Sequence, residues 1–401
     1  MNVPFFDIKR QYQTIRNEVG AHLDEVLESC AFVGGKAVRD FEAQIASYLG
    51  VKHALGCGNG TDALVLALRA CGIGPGDEVI TTPFTFFATA EAIASVGATP
   101  VFTDIRESDY TIDADQIEQK ITSRTRAVLP VHIFGAPCDM DAIHEIAVQH
   151  HLKVIEDGAQ AIGSSYRGKK SGSLGSIGCF SFYPTKNLGG FGDGGMVTTN
   201  DDDLAVVLAA LREHGAARNG ARAWEILNDK RLEEPADSRE AATDLYDPHK
   251  YFNYLIGYNS RLDAMQAAVL SVKLPRLEEY NAARSKIARI YNENLCDEVL
   301  RPEYAADTVP CWHQYVVRTP YKYELCQYLQ EHGVGCGTFY PVPLHLQRAF
   351  RPLGYRPGSL PAAERVTAQS VCLPVFPELT ADEQRYVIET VNQFFRNLPR
   401  A

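Results

Sequence analysis

Short apolar runs alternate with amphipathic segments along the first half of the chain. The runs are short enough for strands, and the segments between them repeat apolar residues at helical spacing. The predicted strands are residues 53–57, 78–82, 99–103, 127–133 and 153–156, and the predicted helices are 61–71, 88–96, 114–120 and 140–150. Strands separated by helices of this length predict βαβ units, and therefore an α/β fold with a mostly parallel sheet covered on both faces.

The pattern differs on either side of this alternation. Two amphipathic helices, at 14–30 and 38–49, precede it, and two strand-like runs, at 176–183 and 195–199, follow it around a glycine-rich turn. A long helix is expected from residue 262 to about 294. Pro275 should bend or break that helix, because proline removes a helical hydrogen bond.

These elements predict two domains. Residues 1–260 would form a large α/β domain with the two N-terminal helices, and residues 261–401 a connecting helix and a smaller α+β domain. Residues 219–250 have no clear period, and we expect a solvated insertion or a substrate-specific lid there. The expected elements of the small domain are a strand at 314–318 and helices at 323–332 and 381–397.

Composition limits the classes of partner. The chain has 401 residues and a net charge of −11, so its overall charge repels nucleic-acid backbone and anionic membrane surfaces. No apolar run approaches the roughly 20 residues of a membrane-spanning helix, and the N-terminus lacks the pattern of a signal peptide. The ten cysteines have no spacing typical of a metal or redox site, so we expect free thiols, no metal and a cytoplasmic location.

The first candidate site is a glycine turn between a predicted strand and a predicted helix. In Gly58-Asn59-Gly60-Thr61-Asp62, free backbone N–H groups and the positive end of the helix dipole meet, which suits a phosphate. The spacing matches neither a Walker A loop nor a dinucleotide fingerprint. An ordinary turn capped by Thr61 or Asn59 explains the motif equally well.

Two further motifs follow strands. Asp157 ends an apolar strand, where ligands of parallel sheets gather, and a buried carboxylate there would need a cationic partner. Lys186 follows a strand and Pro184, where partial desolvation would allow a Schiff base with an aldehyde. Taken alone, a helix-capping aspartate and a solvated lysine are the simpler explanations.

Together the three motifs indicate one cofactor. Pyridoxal 5′-phosphate needs a seat for its phosphate, a counter-ion for its pyridinium nitrogen and an amine for its aldehyde, and the motifs supply these in chain order. The run Phe84-Thr85-Phe86-Phe87 adds an aromatic face for the ring.

Seven motifs carry a resemblance that runs almost end to end. They are Gly60-Thr61-Asp62-Ala63-Leu64, Gly72-Ile73-Gly74-Pro75-Gly76-Asp77-Glu78-Val79-Ile80, Glu156-Asp157-Gly158-Ala159-Gln160, Phe180-Ser181-Phe182-Tyr183-Pro184-Thr185-Lys186, Gly192-Asp193-Gly194-Gly195, Gly257-Tyr258-Asn259-Ser260-Arg261-Leu262-Asp263 and Tyr340-Pro341-Val342-Pro343-Leu344-His345-Leu346-Gln347. With these motifs the sequence resembles the DegT/StrS-type sugar aminotransferases, a branch of the aspartate-aminotransferase-like (fold-type I) enzymes. The resemblance implies a seven-stranded, mostly parallel sheet in the large domain.

The resemblance also implies roles for the cofactor-binding residues. Lys186 would be the catalytic lysine that forms the Schiff base and later shuttles the proton. Asp157 would keep the pyridine nitrogen protonated, and Gln160 would hydrogen-bond the phenolic oxygen. The positions that match phosphate-binding residues are Gly60, Thr61 and Ser181.

Further implied contacts involve the ring and the second subunit. Phe86 would stack on the ring, with Phe84 and Phe87 as the alternatives because strand alternation could shift the register by one. Asn259 matches a residue that reaches the phosphate from the other subunit. A homodimer with shared active sites is therefore expected.

Three residues are candidates for substrate binding. Arg261 would anchor the carboxylate of the amino donor or the diphosphate of the substrate, and His345 and Tyr340 would lie near the substrate. A structural ion pair for Arg261 and a core position for His345 stay open as alternatives.

The implied reaction is a two-stroke transamination. An amino acid, with L-glutamate as the expected donor, leaves its amino group on the cofactor, and a 3-keto or 4-keto sugar linked to dTDP, UDP or GDP accepts it. The sugar dehydratase branch replaces the lysine with histidine, so Lys186 favours an aminotransferase. Two alternatives remain: the same chemistry on a cyclitol ketone or an amino-shikimate-type acceptor, and a non-catalytic regulatory protein that binds the cofactor.

Overall fold

The computed structural model describes residues 1–232 and 251–398. Its helices are α1 (Ile8–Ser29), α2 (Gly35–Leu49), α3 (Gly60–Ala70), α4 (Ala88–Ser95), α5 (Met140–Gln149), α6 (Asp202–Leu211), α7 (Ala217–Asn228), α8 (Ala264–Lys273), α9 (Leu277–Asn294), α10 (Lys322–Glu331), α11 (Pro361–Gln369) and α12 (Ala381–Asn397). Its strands are β1 (His53–Cys57), β2 (Glu78–Thr81), β3 (Thr99–Phe102), β4 (Thr125–Leu129), β5 (Lys153–Asp157), β6 (Ser165–Tyr166), β7 (Lys169–Lys170), β8 (Ile177–Ser181), β9 (Gly195–Thr199), β10 (Thr308–Val309), β11 (Tyr315–Arg318) and β12 (Ser370–Leu373).

The main sheet has seven strands in the order β1-β9-β8-β5-β4-β2-β3. All of its strands are parallel except β9, which runs antiparallel to both neighbours, so the predicted mostly parallel sheet is confirmed. Strands β5 and β8 are adjacent and parallel, with Asp157 opposite Cys179. Their carboxyl ends therefore open at one edge of the sheet, the edge at which α/β folds bind ligands.

The two largest hydrophobic clusters of the described residues lie in different parts of the chain. The first lies between the sheet and helices α3, α4 and α6, and residues of the C-terminal part such as Leu344 and Phe350 pack into it. The second joins α9, α10 and α12 to the small sheet formed by β11 and β12. Val3 is buried in the second core and pairs with Val334, so the first residues of the chain pack against the C-terminal part. The predicted division at residue 260 stays a prediction.

Several local predictions need correction. Residues 114–120 form two short 3₁₀ turns rather than one helix; the side chain of Asp113 accepts from the backbone N–H of Asp115 at the start of the first turn. The aperiodic segment begins with α7, whereas the rest of the predicted insertion, from residue 233, lies outside the described residues. The long helix is broken at Pro275, as predicted, by a 3₁₀ turn between α8 and α9. Helix α11 and strand β12 had no clear sequence signal.

Within residues 1–232 and 251–398, no helix is both long enough and apolar enough to traverse a lipid bilayer. The same residues contain no group of three acidic, histidine or cysteine side chains placed to hold a metal ion.

Candidate active site

A cavity of about 800 Å³ opens at the carboxyl edge of the sheet. Eight of the predicted site residues line it: Gly60, Thr61, Phe86, Asp157, Gln160, Ser181, Lys186 and Tyr340. Three others, Asn259, Arg261 and His345, do not line it within this one chain. The motifs of the large domain and the Tyr340 segment therefore meet in one place.

The amino-terminal end of α3 forms one wall of the cavity. Asn59 caps the helix, because its side-chain oxygen accepts a hydrogen bond of 2.8 Å from the backbone N–H of Asp62. A Cβ atom at Gly60 would lie 2.6 Å from Cβ of Ser181, closer than side chains approach each other, so only glycine fits. The hydroxyl of Ser181 is thereby placed beside the first free N–H groups of the helix, which suits an anion.

Asp157 lies at the end of β5 and is buried. Its Oδ2 accepts a hydrogen bond of 2.8 Å from the hydroxyl of Thr89, and its Oδ1 one of 3.2 Å from the backbone N–H of Ala159. Burial raises the pKa of Asp157, although these two donors and the charge of Lys186 act in the opposite direction. A cationic group bound against the carboxylate would stabilise its charged form.

Lys186 lies in a tight loop after β8. The backbone N–H of Lys186 donates to Tyr183 O, and that of Gly190 donates to Phe182 O, which closes the loop. The side-chain amine lines the cavity and makes no hydrogen bond to a described residue. Burial lowers the pKa of this amine to about 8, against the opposing effect of the Asp157 charge. At neutral pH an appreciable fraction of the amine is therefore uncharged and nucleophilic.

Gln160 connects the Phe134 segment to the Tyr340 segment in the cavity wall. Its side-chain oxygen accepts a hydrogen bond of 2.7 Å from the backbone N–H of Phe134, so the amide nitrogen must point the other way. That nitrogen donates to the hydroxyl of Tyr340 at 2.8 Å and keeps one hydrogen for a ligand. Burial raises the pKa of Tyr340, which keeps its hydroxyl protonated.

The aromatic run has one member in the cavity. Phe86 is 59% exposed and lies with its ring centroid 6.2 Å from that of Tyr340. Phe84 is fully buried, and Phe87 packs against Phe350. Of the three phenylalanines, Phe86 alone is placed to cover a ligand in this cavity.

Asn259 and Arg261 lie near the surface and contact each other. The guanidinium of Arg261 donates to the side-chain oxygen of Asn259, which is exposed. Between them, Ser260 is buried; it accepts from the backbone N–H of Gly58 and donates to Asp62 at 2.6 Å. The segment thus supports the glycine turn, while the flanking Asn259 is exposed and Arg261 is half-buried.

His345 has the environment of a core residue. Its ring is fully buried, with Nε2 3.1 Å from a carboxylate oxygen of Glu364 and the ring of Tyr355 beside it. Nδ1 has no hydrogen-bond partner among the described residues. His345 does not line the cavity within this chain, and its expected position near the substrate stays a prediction.

Sequence reasoning missed Thr89, Asn187 and His313. The hydroxyl of Thr89 donates to Asp157 and lies 2.9 Å from the hydroxyl of Thr85. Two threonines four residues apart were therefore an available signal. His313 lines the cavity, and its Nδ1 lies 3.1 Å from the side-chain oxygen of Asn187. The sequence offered no signal for this contact, because the two residues lie far apart along the chain.

The model of the DegT/DnrJ/EryC1/StrS aminotransferase family matches residues 13–392 of the chain. A solved structure with the same architecture is that of NtdA from Bacillus subtilis with bound cofactor PMP, with a TM-score of 0.84 and 28% identity over 99% of this chain and 86% of that chain. The fold is therefore that of the fold-type I pyridoxal-phosphate aminotransferases. More particularly, the chain belongs to the DegT/DnrJ/EryC1/StrS family.

Two named relatives match nearly the whole length. One, from Streptomyces venezuelae, is named dTDP-3-amino-3,4,6-trideoxy-alpha-D-glucose transaminase and is 41% identical over 100% of this chain and 98% of its own. The other, from Geobacillus stearothermophilus, is named pleiotropic regulatory protein and is 45% identical over 99% of this chain and 100% of its own. The two names correspond to an enzymatic and a regulatory role.

Proposed function

We propose that this protein is a pyridoxal-phosphate-dependent aminotransferase that moves an amino group from an amino acid, with L-glutamate as the donor, to a nucleotide-linked keto sugar. One observation carries the proposal. The cavity contains a lysine amine with a pKa of about 8 and no hydrogen bond to a described residue, together with a buried aspartate whose pKa is raised. An uncharged amine can condense with the aldehyde of pyridoxal phosphate, and a buried carboxylate can pair with its protonated ring nitrogen.

The residues present fit the cofactor at three points. The absent side chain at Gly60 leaves room beside Ser181, and a Cβ there would close that space. The start of α3 offers backbone N–H groups to a phosphate. Asp157 is buried next to two hydrogen-bond donors, and a bound cation would complete its surroundings.

When bound, pyridoxal phosphate supplies an aldehyde that condenses with amines and a protonated ring that withdraws electrons from the adjacent carbon. Asp157, held by Thr89, would keep the proton on the ring nitrogen. Lys186 would hold the cofactor between turnovers, and its Nζ would accept a proton from one carbon and return it to the other. Gln160 would donate its remaining N–H to the ring oxygen, and Phe86 would cover the ring and exclude water.

The surface around Asn259 supports the proposed homodimer with shared active sites. Asn259 is exposed at one end of the segment that supports the glycine turn, where it could reach a neighbouring subunit. Several large apolar side chains are exposed as well, among them Phe32, Val33 and Ile256. Contact with a second copy would cover such residues. All ten cysteines are free thiols, which supports the proposed cytoplasmic location.

The name of the S. venezuelae relative favours a dTDP-linked sugar as the acceptor over a cyclitol or an amino-shikimate precursor. Competition by dTDP, UDP and GDP against the acceptor separates these alternatives, since only a nucleotide-sugar site should bind a nucleoside diphosphate. Inhibition by none of dTDP, UDP and GDP would favour the smaller acceptors.

Absorption spectroscopy tests the chemistry itself. The purified protein loaded with pyridoxal phosphate should be yellow and should bleach when L-glutamate is added, whereas the Lys186→Ala variant should do neither. Borohydride should fix the cofactor to Lys186 in the wild type. Failure of the wild-type protein to exchange amino groups between L-glutamate and 2-oxoglutarate would contradict the proposal and favour the regulatory alternative.

A further inference from the structure

The wall of the cavity contains His313, which takes no part in the proposed handling of the cofactor. His313 is buried, and its ring lines the cavity together with Lys186. Its backbone is held in place by Arg284, whose guanidinium donates to His313 O at 3.3 Å and to Val375 O at 2.6 Å. The backbone of His313 therefore has a fixed position at the cavity wall.

The hydrogen bond at Nδ1 has a defined direction. Asn187 donates its amide N–H groups to Cys311 O at 2.9 Å and to the side-chain oxygen of Asn281 at 2.8 Å. Asn281 in turn donates to Ile162 O, so its oxygen must face Asn187. If the side-chain amide of Asn187 or Asn281 were rotated by 180°, its oxygen would face another oxygen in place of the N–H group that now donates to it. The side-chain oxygen of Asn187 therefore faces His313 and accepts a hydrogen bond from Nδ1 of the ring. Nδ1 must then carry the proton.

The imidazole is also neutral. Burial holds the pKa of His313 well below its ordinary value, and the positive charges of Lys186 and Arg284 act in the same direction. A neutral ring protonated at Nδ1 has a lone pair at Nε2. That nitrogen has no hydrogen-bond partner among the described residues, so it is an acceptor open to a ligand in the cavity.

We propose that Nε2 of His313 accepts a hydrogen bond from a hydroxyl group of the amino acceptor, next to the carbon that receives the amine. This inference rests on the proposed function and deepens it, because it makes His313 a specificity-determining residue for ketones that carry a neighbouring hydroxyl. The amino donor is a poorer match. Its carboxylates are repelled by a lone pair, and its amino group is occupied in the reaction.

Nitrogen NMR of the full-length, cofactor-loaded protein with ¹⁵N-labelled histidine observes this hydrogen bond directly. The probe is dTDP-glucose, which has hydroxyls but no ketone and so cannot react, and dTDP alone is the control. The Nε2 resonance of His313, assigned from its absence in a His313→Asn spectrum, should move upfield with dTDP-glucose and stay in place with dTDP. A His144→Asn variant should show the same movement, because His144 lies outside the cavity and contacts Leu174 O.

Calorimetry run in parallel separates the possible failures. Binding of dTDP-glucose without movement of the Nε2 resonance would overturn the inference and leave the proposed function intact. Movement of the Nε2 resonance with L-glutamate alone would also overturn the inference, since Nε2 would then contact the amino donor. Absence of binding by dTDP-glucose, UDP-glucose and GDP-glucose would contradict the nucleotide-sugar function itself.

Two substitutions at the same position separate ligand binding from a structural role. His313→Asn keeps a donor for Asn187 but loses the acceptor in the cavity, whereas His313→Gln can place an oxygen near the position of Nε2. We expect His313→Asn to weaken binding of dTDP-glucose about 3- to 10-fold, the usual effect of one neutral hydrogen bond, and His313→Gln to restore most of it. Equal losses in both variants would indicate that His313 has only a structural role.

Discussion

Gly60 and Ser181 touch across the floor of the cavity, so closely that a Cβ at residue 60 would lie 2.6 Å from Cβ of Ser181 and 3.1 Å from its hydroxyl oxygen. This contact joins the start of α3 to the end of β8. Two motifs far apart in sequence thereby form one proposed seat for the phosphate. The seat depends on a missing side chain as much as on the groups that are present.

Gly60→Ala should therefore weaken binding of pyridoxal phosphate at least tenfold. The added methyl group must displace Ser181 or shift the first turn of α3, and the backbone N–H groups then lose their alignment. Fluorescence titration of the cofactor-free protein measures the effect. Gly20→Ala is the matched control, because nothing lies within 4 Å of a Cβ at that site in α1, and alanine should stabilise the helix by about 0.5–1 kcal/mol. Equal cofactor affinity in both variants would contradict the assignment of the seat.

The rate of cofactor association should depend on the charge of Lys186. With a pKa of about 8, the neutral fraction of the amine rises from roughly one-tenth at pH 7 to nine-tenths at pH 9. Stopped-flow measurements on the cofactor-free protein should give a rate that rises with pH with a midpoint near 8. Because the charge of Asp157 raises the pKa of Lys186, Asp157→Asn should move the midpoint to lower pH. A midpoint near that of a free lysine, about 10.4, would show that the amine is solvated.

Thr89→Val should impair catalysis while keeping the shape of the core. The variant loses the hydrogen bond of 2.8 Å to Asp157, and the pKa of Asp157 should rise further because this bond lowers it. A hydrogen bond to a charged group contributes about 1.5–3 kcal/mol, so kcat/KM for exchange between L-glutamate and 2-oxoglutarate should fall roughly 10- to 100-fold. The acid limb of the pH profile should also move to higher pH. Thr14→Val, on the exposed face of α1, is the control. An unchanged pH profile of kcat/KM in Thr89→Val would show that Thr89 does not influence Asp157.

The ion pair between Arg10 and Glu383 should make stability depend on pH. Both guanidinium nitrogens of Arg10 donate to Glu383, at 2.8 and 2.7 Å, and this pairing lowers the pKa of Glu383 to about 2. A carboxylate with a depressed folded-state pKa stabilises the protein above its unfolded-state pKa and loses that effect as the pH falls towards 2. Allowing for solvent screening of the half-buried arginine, Glu383→Gln should lower the free energy of unfolding by about 1–2 kcal/mol at pH 7.

Urea unfolding at several pH values tests this dependence. The difference between wild type and Glu383→Gln should shrink between pH 5 and pH 2. Asp382→Asn is the control: its carboxylate is exposed and, among the described residues, forms an ion pair with Arg385 alone, so its effect should stay within about 0.5 kcal/mol. A difference that is constant with pH would mean that the glutamine disturbs packing rather than charge.

Local sequence signals predicted the parts of the site that lie at strand ends. Strand β5 ends at Asp157 and β8 just before the Lys186 loop, and both strands could be recognised from short apolar runs. Their meeting at one edge follows from the parallel arrangement, which the strand–helix alternation predicted. Helix α3 begins one residue before its predicted start because Asn59, rather than Thr61, is the cap.

The remaining contacts depend on tertiary structure. Phe86 could not be separated from its neighbours by alternation, since residues 82–87 form a turn rather than a strand. His345 follows a proline-rich stretch that gives no indication of the partner Glu364. The chain of amides from Asn281 through Asn187 to His313 involves three separate segments. No periodicity in the sequence encodes such an arrangement.

The antiparallel placement of β9 also affects how the molecule can assemble. Strand β1 contacts only β9 in the main sheet, with Cys57 opposite Gly195, so the first strand to be synthesised has no partner until about 140 further residues have followed it. Strand β1 can therefore join the main sheet only after β9 has been synthesised, which makes this pairing a late, non-local step of folding. Fragments that end before residue 195 should consequently leave an unpaired strand edge and aggregate.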